Sequence, residues 1–204
     1  MNNTIYTIGY SGLKIEDMIY IINIYKISCI IDTRSIPYSK QFPNFNKENL
    51  EKILNNNKIL YRNYKEEFGA RQKNIDFYSK NGYLDFNKFS KSEIFLNGIN
   101  KIEKGISKGY TFLLICSEKD PIDCHRTIMV ARKFYDIGYN IINIIYNDKS
   151  NIIEYTQKDI ENRLLNKYFP EREQLLLFQD NYLDQKDLIN LSYNKRNEEI
   201  GYRK

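Results

Sequence analysis

The sequence predicts an α/β fold in which a mainly parallel sheet is flanked by helices on both faces, as a single three-layer domain. Short, uniformly apolar segments alternate with longer segments that are apolar at helical spacing. Strands that are apolar on both sides are typical of parallel sheets whose two faces are both covered. The chain has 204 residues, of which 42% are hydrophobic, and this is enough for one sizeable core.

The first half of the chain begins with a β-α-β unit. The predicted elements are, in order, a strand over 4–8, a helix over 15–25, a strand over 27–31, a helix over 46–57, a short strand over 59–62, and one or two helices over 86–108. The second strand runs directly into Asp32, so a carboxylate is expected at a strand end.

The second half continues the alternation. The predicted elements are a strand over 110–116, a polar loop over 117–123, a helix over 124–137 closed by Gly138, a strand over 140–146 and a helical region over 150–168. This order predicts a Rossmann-like domain over 1–168. Residues 169–204 are expected to form a helical and polar C-terminal extension that packs on the domain or on a partner.

Composition excludes several classes of protein. No segment approaches the roughly 18 consecutive apolar residues of a membrane span, and the start lacks the pattern of a secretory signal, so we expect a cytoplasmic protein with no membrane partner. Three cysteines are an odd number, which disfavours a disulfide framework. The net charge of +5 permits an anionic partner but is far from that of a polybasic chain.

Polar residues follow three of the predicted strands. They are Ser11 after the first strand, Asp32 and Arg34 after the second, and the segment 116–126 after the strand over 110–116. Ligands of open parallel sheets bind beyond the carboxyl ends of the strands. We therefore expect these three groups to form one site.

The segment 116–126 concentrates chemistry, because it holds Cys116, Cys124, Arg126 and the only histidine, His125. Asp120 followed by a proline fits a helix start, which would place residues 124–126 in the first helical turn. An anion is favoured there, Arg126 could bind a phosphate or carboxylate, and Cys124 would have a lowered pKa as a candidate nucleophile. The alternatives are structural: Cys116 as a buried thiol and His125 bonded to loop carbonyls.

The cysteine spacing disfavours two kinds of site. The pattern C-x7-C-H lacks the two short-spaced pairs of a strong zinc signature, so no metal site and no cofactor are predicted. A phosphatase-type C-x5-R loop is also absent from this segment. Hydrolysis through a cysteinyl phosphate is therefore disfavoured.

Two further groups have a functional and a structural interpretation. Asp32 would be an acid, a base or a nucleophile, with Arg34 and Arg126 holding substrate oxygens. Alternatively, Asp32 and Arg34 pair with Arg126 or Asp123 and only tie loops together. The segment 61–73, which includes Arg71, interleaves aromatic and basic residues. It suits base stacking and phosphate contact, or it is a solvated loop.

Across residues 4–146 the chain resembles the bacterial domain of unknown function 488 family. The matching motifs are Thr7-Ile8-Gly9-Tyr10-Ser11, Asp32-x-Arg34, Pro37-x-Ser39, Phe42, Tyr61, Phe68-Gly69-Ala70-Arg71 and Cys116-x-Glu118-Lys119-Asp120-Pro121-x-x-Cys124-His125-Arg126. The resemblance implies an α/β domain with a pocket formed by these motifs. It also implies a link, through some relatives, to DNA repair or modification.

The chain departs from the family pattern at two points. The family usually has Leu-Gly-Gly where this chain has Phe68-Gly69-Ala70. Many members also carry a histidine in or after the last strand, and this chain does not. A mechanism that needs two histidines is therefore disfavoured here.

Together these features favour an enzyme with an anion-binding pocket for a phosphate-bearing small molecule, a nucleotide, or nucleic acid. The predicted catalytic residues are Asp32, Glu118, Cys124 and His125, and the predicted substrate-binding residues are Ser11, Arg34, Arg71 and Arg126. Glu118 or Asp32 would perform acid–base or glycosyl-type chemistry. The alternatives are a non-catalytic nucleotide- or nucleic-acid-binding module and a thiol-dependent enzyme that uses Cys124.

Overall fold

Six strands form one sheet in the computed structural model, which describes residues 3–172 and 184–204. The strands are β1 (Thr4–Gly9), β2 (Cys29–Asp32), β3 (Leu60–Asn63), β4 (Phe112–Cys116), β5 (Asn140–Asp148) and β6 (Asn151–Thr156). Their order across the sheet is β3-β2-β4-β1-β5-β6. The first five strands are parallel, and β6 pairs antiparallel with β5. The predicted three-layer α/β fold is confirmed.

Helices cover both faces of the sheet. They are α1 (Ile15–Ile24), α2 (Lys47–Asn56), α3 (Lys65–Phe68), α4 (Phe86–Phe89), α5 (Glu93–Ser107), α6 (Arg132–Asp136), α7 (Gln157–Tyr168) and α8 (Gln185–Ile200), with a π-helical turn over Arg126–Ala131 directly before α6. One core lies between the sheet and the apolar sides of α1 and α2. The other lies beneath α5, the π-helical turn, α7 and α8. Every residue of β4 is buried, because this central strand is covered on both faces.

The connections that follow two neighbouring strands, β2 and β4, run to opposite faces of the sheet. The chain leaves β2 for α2 on one face, and it leaves the adjacent β4 for the π-helical turn on the other. Loops that diverge in this way open a crevice at the carboxyl ends of the strands. The polar segments predicted to form a site follow these same strands.

Three sequence-based expectations about the elements need correction. Residues 151–156 are strand rather than helix, because Ser150 donates from its backbone and its hydroxyl to Asp148 in a turn that folds β6 back on β5. The helix expected over 124–137 begins later, as the π-helical turn. The 3₁₀ turn Pro121–Asp123 is a separate element capped by Asp120, and Cys124 after it is extended (φ −130°, ψ 135°).

The structure describes part of the C-terminal extension predicted over 169–204. Residues 173–183 of it lie outside the described residues. Helix α8 packs against α7, and its Tyr193 is buried in the core. No helix within 3–172 and 184–204 combines the length and the apolar character that crossing a membrane needs.

Candidate functional site

A pocket of about 250 Å³ opens at the carboxyl ends of β2 and β4. The loop after β2 supplies Arg34, and the loop after β4 supplies Cys116 and Glu118. His125 lies at the same wall, and Arg71 reaches in from the segment that follows α3. Tyr202 closes the side nearest the C-terminus. A cavity therefore lies at the carboxyl ends of the strands, where the site was expected, and four of the eight predicted site residues line it: Arg34, Arg71, Glu118 and His125.

The floor of the pocket is a cluster of two thiols, a carboxylate and an imidazole. The sulphur atoms of Cys116 and Cys124 each lie 3.0 Å from Oε2 of Glu118. They lie 3.9 and 4.0 Å, respectively, from Nδ1 of His125. One ligand-type atom from each of the four residues falls within 4.8 Å of all the others. These atoms therefore surround one point in space.

Hydrogen bonds outside the cluster orient its members. Nε2 of His125 lies 3.0 Å from the carbonyl oxygen of Thr33. A carbonyl oxygen only accepts, so Nε2 carries a hydrogen and Nδ1 faces the sulphur atoms, to which it offers its lone pair when the imidazole is neutral. The Ser117 hydroxyl donates to Oε1 of Glu118 at 2.8 Å, which leaves Oε2 for the two thiols.

The members of the cluster shift one another's pKa values. The hydrogen bond from Cys124 and the charge of His125 outweigh burial and lower the pKa of Cys116 to about 6. Burial raises the pKa of Cys124 well above its usual value. Burial also disfavours the ionised form of Glu118, but hydrogen bonds with both thiols lower its pKa to about 2. For His125, the negative charge of Cys116 outweighs burial and raises the pKa to about 9.

Arg71 is the exposed cation of the pocket. Its guanidinium lies over the ring of Tyr202, 4.8 Å from the ring centroid, and no ion pair of Arg71 occurs within the described parts of the chain. Its backbone N–H donates to the Ser35 hydroxyl at 2.8 Å, which fixes the segment against the loop after β2. Gly69 permits this approach, because a Cβ there would lie 2.6 Å from the hydroxyl oxygen of Ser35.

Asp32 lies beneath the pocket rather than in it. The side chain is fully buried, and Arg34 donates to both of its carboxylate oxygens, at 2.8 and 2.5 Å. The Tyr61 hydroxyl donates to Oδ2 at 2.7 Å. Asp32 therefore pairs with Arg34 itself, not with Arg126, and Asp123 pairs with Arg196 of α8. This geometry gives Asp32 a structural role and leaves no carboxylate oxygen of it facing a substrate.

Arg126 and Cys124 are also buried in the protein and do not line the pocket. Arg126 is fully buried and donates to the carbonyl oxygens of Glu118 (2.6 Å) and Lys119 (3.5 Å), so its guanidinium does not face an external anion. Cys124 is 1% exposed and lies before the helix, so the helix N-terminus expected to lower its pKa is not at that position. Ser11 does not line the pocket; its backbone N–H pairs with the carbonyl oxygen of Ser117.

Two residues of the candidate site have positions that the sequence does not indicate. Glu118 was interpreted as an acid–base group, although its position between Cys116 and Cys124 in space makes it a candidate metal ligand. Tyr202 was placed in an extension with no assigned role. The aromatic residue near the C-terminus was a weak signal, because tyrosine is frequent throughout this chain, at 18 residues.

Comparison with known proteins gives one assignment. The family model described as Domain of unknown function DUF488 matches residues 14–132, which is more than half of the chain and includes the loop after β2, Arg71 and the whole floor cluster. No curated protein and no solved structure matches the chain. The chain therefore belongs to the DUF488 family.

Proposed function

We propose that this protein is an enzyme whose pocket at the carboxyl ends of β2 and β4 binds a phosphate-bearing nucleotide. The observation that carries the proposal is Arg71, an exposed guanidinium at the mouth of the pocket that is not engaged by a carboxylate among the described residues. Guanidinium groups bind phosphate oxygens through paired hydrogen bonds.

The other charged groups of the pocket wall are already paired. Arg34 is bonded to Asp32, and Asp123 is bonded to Arg196. This leaves Arg71 for an incoming anion. The floor residues Cys116, Glu118 and His125 are then the groups over which a reaction of the bound ligand would take place.

Size and stacking favour a nucleotide among phosphate-bearing molecules. A volume of about 250 Å³ lies just below the range of about 300 to 1,000 Å³ that is usual for ligand sites, so it suits one nucleotide unit better than a duplex. Nucleobases stack on the planes of arginine guanidinium groups and on tyrosine rings. Arg71 and Tyr202 supply one group of each kind, and the guanidinium of Arg71 lies over the ring of Tyr202.

Thermal-shift titration tests this proposal. The ligands are inorganic phosphate, a nucleoside, its 5′-monophosphate and a short 5′-phosphorylated oligonucleotide. At about 100 times its dissociation constant a ligand stabilises the folded state by about 2.7 kcal/mol. We expect the monophosphate to do so with wild type, and the unphosphorylated nucleoside to have little effect.

Arg71→Ala should remove this stabilisation. Arg62→Ala is the matched control, because Arg62 is an exposed arginine on β3 that lies outside the pocket. A monophosphate shift of equal size in both variants, or none in wild type, would show that the pocket does not bind phosphate through Arg71.

The burial of Asp32 favours a second candidate, a nucleotide-binding module without turnover. Asp32 was one of the expected catalytic groups, and its carboxylate faces Arg34 and Tyr61 instead of the pocket. Mass spectrometry of ligands after prolonged incubation separates the two. A changed ligand mass supports the enzyme, whereas a bound but unchanged ligand supports the module.

A further inference from the structure

Four side chains at the floor of the pocket converge on one point. They come from two places in the chain: Cys116 and Glu118 follow β4, while Cys124 and His125 follow the turn Pro121–Asp123. We propose that Cys116, Glu118, Cys124 and His125 bind one Zn²⁺ ion. This inference goes beyond nucleotide binding and does not depend on it.

The spacing of the donor atoms fits a tetrahedral ion. Zinc bonds of about 2.0 to 2.3 Å place tetrahedral ligand atoms roughly 3.3 to 3.8 Å apart. The sulphur-to-oxygen distances are 3.0 Å, and the sulphur-to-nitrogen distances are 3.9 and 4.0 Å. All four donor atoms lie within 4.8 Å of one another, so small side-chain movements would bring them to bonding distance around an ion at their centre.

The donor set selects the metal. Two cysteine sulphurs and an imidazole nitrogen are the ligands that zinc prefers, and calcium and magnesium prefer oxygen alone. Carboxylate is an accepted fourth ligand of zinc. Nδ1 of His125 faces the cluster, because Nε2–H faces the Thr33 carbonyl, and Nδ1 binds a metal once its own proton is released. A carbonyl bonded to the remote nitrogen is the usual arrangement around a zinc-bound histidine.

The protein backbone holds the site in shape. Asp120 caps the turn before Cys124 by accepting a hydrogen bond from the Ile122 backbone. Arg126 donates to the carbonyl oxygens of Glu118 and Lys119 and so fixes the loop after β4 from below. The two halves of the site are therefore held together by groups other than the metal.

The position of the ion links it to the pocket. Cys116, Glu118 and His125 line the cavity into which Arg71 also reaches. Zn²⁺ on the floor would add positive charge to the pocket that Arg71 also lines, and it would offset the negative charges of the thiolates and of Glu118.

Metal binding to the whole, purified chain tests the proposal without any nucleotide. The chain is stripped with a chelator under reducing conditions and titrated with Zn²⁺ against a chromophoric zinc chelator. Co²⁺ serves as the spectroscopic probe, because thiolate ligands give it a charge-transfer band. We expect one ion per chain and a thiolate-to-cobalt band.

Cys124→Ser and His125→Gln test the ligands, and Cys29→Ser is the matched control. Cys29 is also a buried cysteine, 3% exposed, but it lies at the start of β2, away from the cluster. Losing a hydrogen-bond partner of a ligand costs roughly 10- to 100-fold in affinity, so we expect losing a ligand to raise the zinc Kd by more than about 100-fold. Cys29→Ser should bind zinc as wild type does.

Three outcomes would overturn the proposal: substoichiometric zinc in the reduced wild type, a cobalt spectrum without the thiolate band, or equal loss in Cys29→Ser. Circular dichroism of each metal-free variant shows whether that variant is folded. Where Cys124→Ser does not fold, Glu118→Gln provides the test, because it removes one ligand charge and keeps the shape of the side chain. Unchanged zinc affinity in Glu118→Gln and His125→Gln together would also refute the four-ligand site.

Discussion

Arg126 is a structural residue at the centre of the site. Its guanidinium is fully buried and bonded to two backbone carbonyls of the loop that carries Glu118. Arg126→Met retains apolar volume and removes these bonds. We expect a loss of about 3 kcal/mol in the free energy of unfolding, measured with urea, because charged donors to carbonyls contribute about 1.5 to 3 kcal/mol each. Arg62→Ala, at the surface, should change it by less than about 0.5 kcal/mol.

A different result for Arg126→Met would support the role expected from the sequence, in which Arg126 binds the substrate. Intact stability combined with lost affinity for phosphate would mean that the guanidinium turns toward the pocket and binds the ligand. Burial argues against this, since the turn would leave the carbonyl oxygens of Glu118 and Lys119 without their donor.

Asp32 makes a second residue-scale prediction. Asp32→Asn keeps the shape of the side chain but leaves Arg34, which is 5% exposed, as a buried charge without its partner. Breaking a buried ion pair from one side costs about 3 to 5 kcal/mol, and we expect a loss in that range in urea unfolding. Tyr61→Phe removes a single hydrogen bond to the same carboxylate and should cost less. A fully stable Asp32→Asn protein that loses turnover would instead support the catalytic role expected from the sequence.

How much of the site could be predicted differs from residue to residue. Strand ends and clustered polar residues were enough to locate the pocket and to include Glu118, His125 and Arg71 in it. The direction of each side chain was not predictable, because the π-helical turn and the extended Cys124 change which residues face inward. The sequence does not indicate the proposed metal site for a related reason: its fourth candidate ligand, Glu118, is not part of the cysteine–histidine spacing.

At the scale of elements, the contact between the end of β1 and the loop after β4 shapes the site. The backbone of Tyr10 pairs with the Cys116 carbonyl, and that of Ser11 pairs with the Ser117 carbonyl. A Cβ at Gly9 would lie 1.8 Å from the carbonyl oxygen of Glu118, so Gly9→Ala must displace this loop. We expect a loss of about 1 to 3 kcal/mol in stability, as for other overpacked sites.

Gly9→Ala should also weaken zinc binding, because Glu118 moves with the displaced loop. Ser11→Ala is the control, since it keeps the backbone hydrogen bond to Ser117 and adds no atom. Urea unfolding and the chelator competition measure the two effects. Wild-type stability and zinc affinity in Gly9→Ala would show that the loop does not depend on this contact.

The parallel strands were the most predictable elements, and β6 was the least. Strands β2 and β4 are short apolar runs buried on both faces, so composition alone reveals them. Strand β6 is an edge strand whose residues are exposed or half-buried. It pairs with β5 after the turn at Asp148, and the prediction of one helical region over 150–168 joined it to α7, although its isoleucine, tyrosine and threonine residues favour a strand.

At the scale of the whole molecule, the C-terminal helix completes the pocket. Arg196 of α8 donates to the Ile122 carbonyl at 2.8 Å and pairs with Asp123, so the helix is attached to the turn that precedes the floor cluster. Ile200 and Tyr202, at and beyond its end, line the cavity. Residues far from the family-matched region therefore line the proposed ligand site.

Asn197 is a second buried polar residue that attaches α8 to the rest of the fold. Its side chain accepts from the Phe86 backbone and donates to the Leu84 carbonyl, each at 2.8 Å, and it is 5% exposed. Asn197→Ala leaves two buried backbone groups without partners, so we expect about 1 to 3 kcal/mol of lost stability for each group that water does not reach. The affinity for a nucleotide monophosphate should fall as well, because Tyr202 loses its support.

Asn194→Ala is the matched control on the same helix, since Asn194 is exposed and bonds only the side chain of Asn87 among the described residues. It should change stability by less than about 0.5 kcal/mol. Urea unfolding and monophosphate titration of the two variants measure both effects. If Asn197→Ala lost stability but bound the monophosphate with wild-type affinity, Tyr202 would not contribute to the ligand site. If both properties fell together, closure of the pocket and docking of α8 would be one event, and ligand binding would depend on the C-terminal helix being in place.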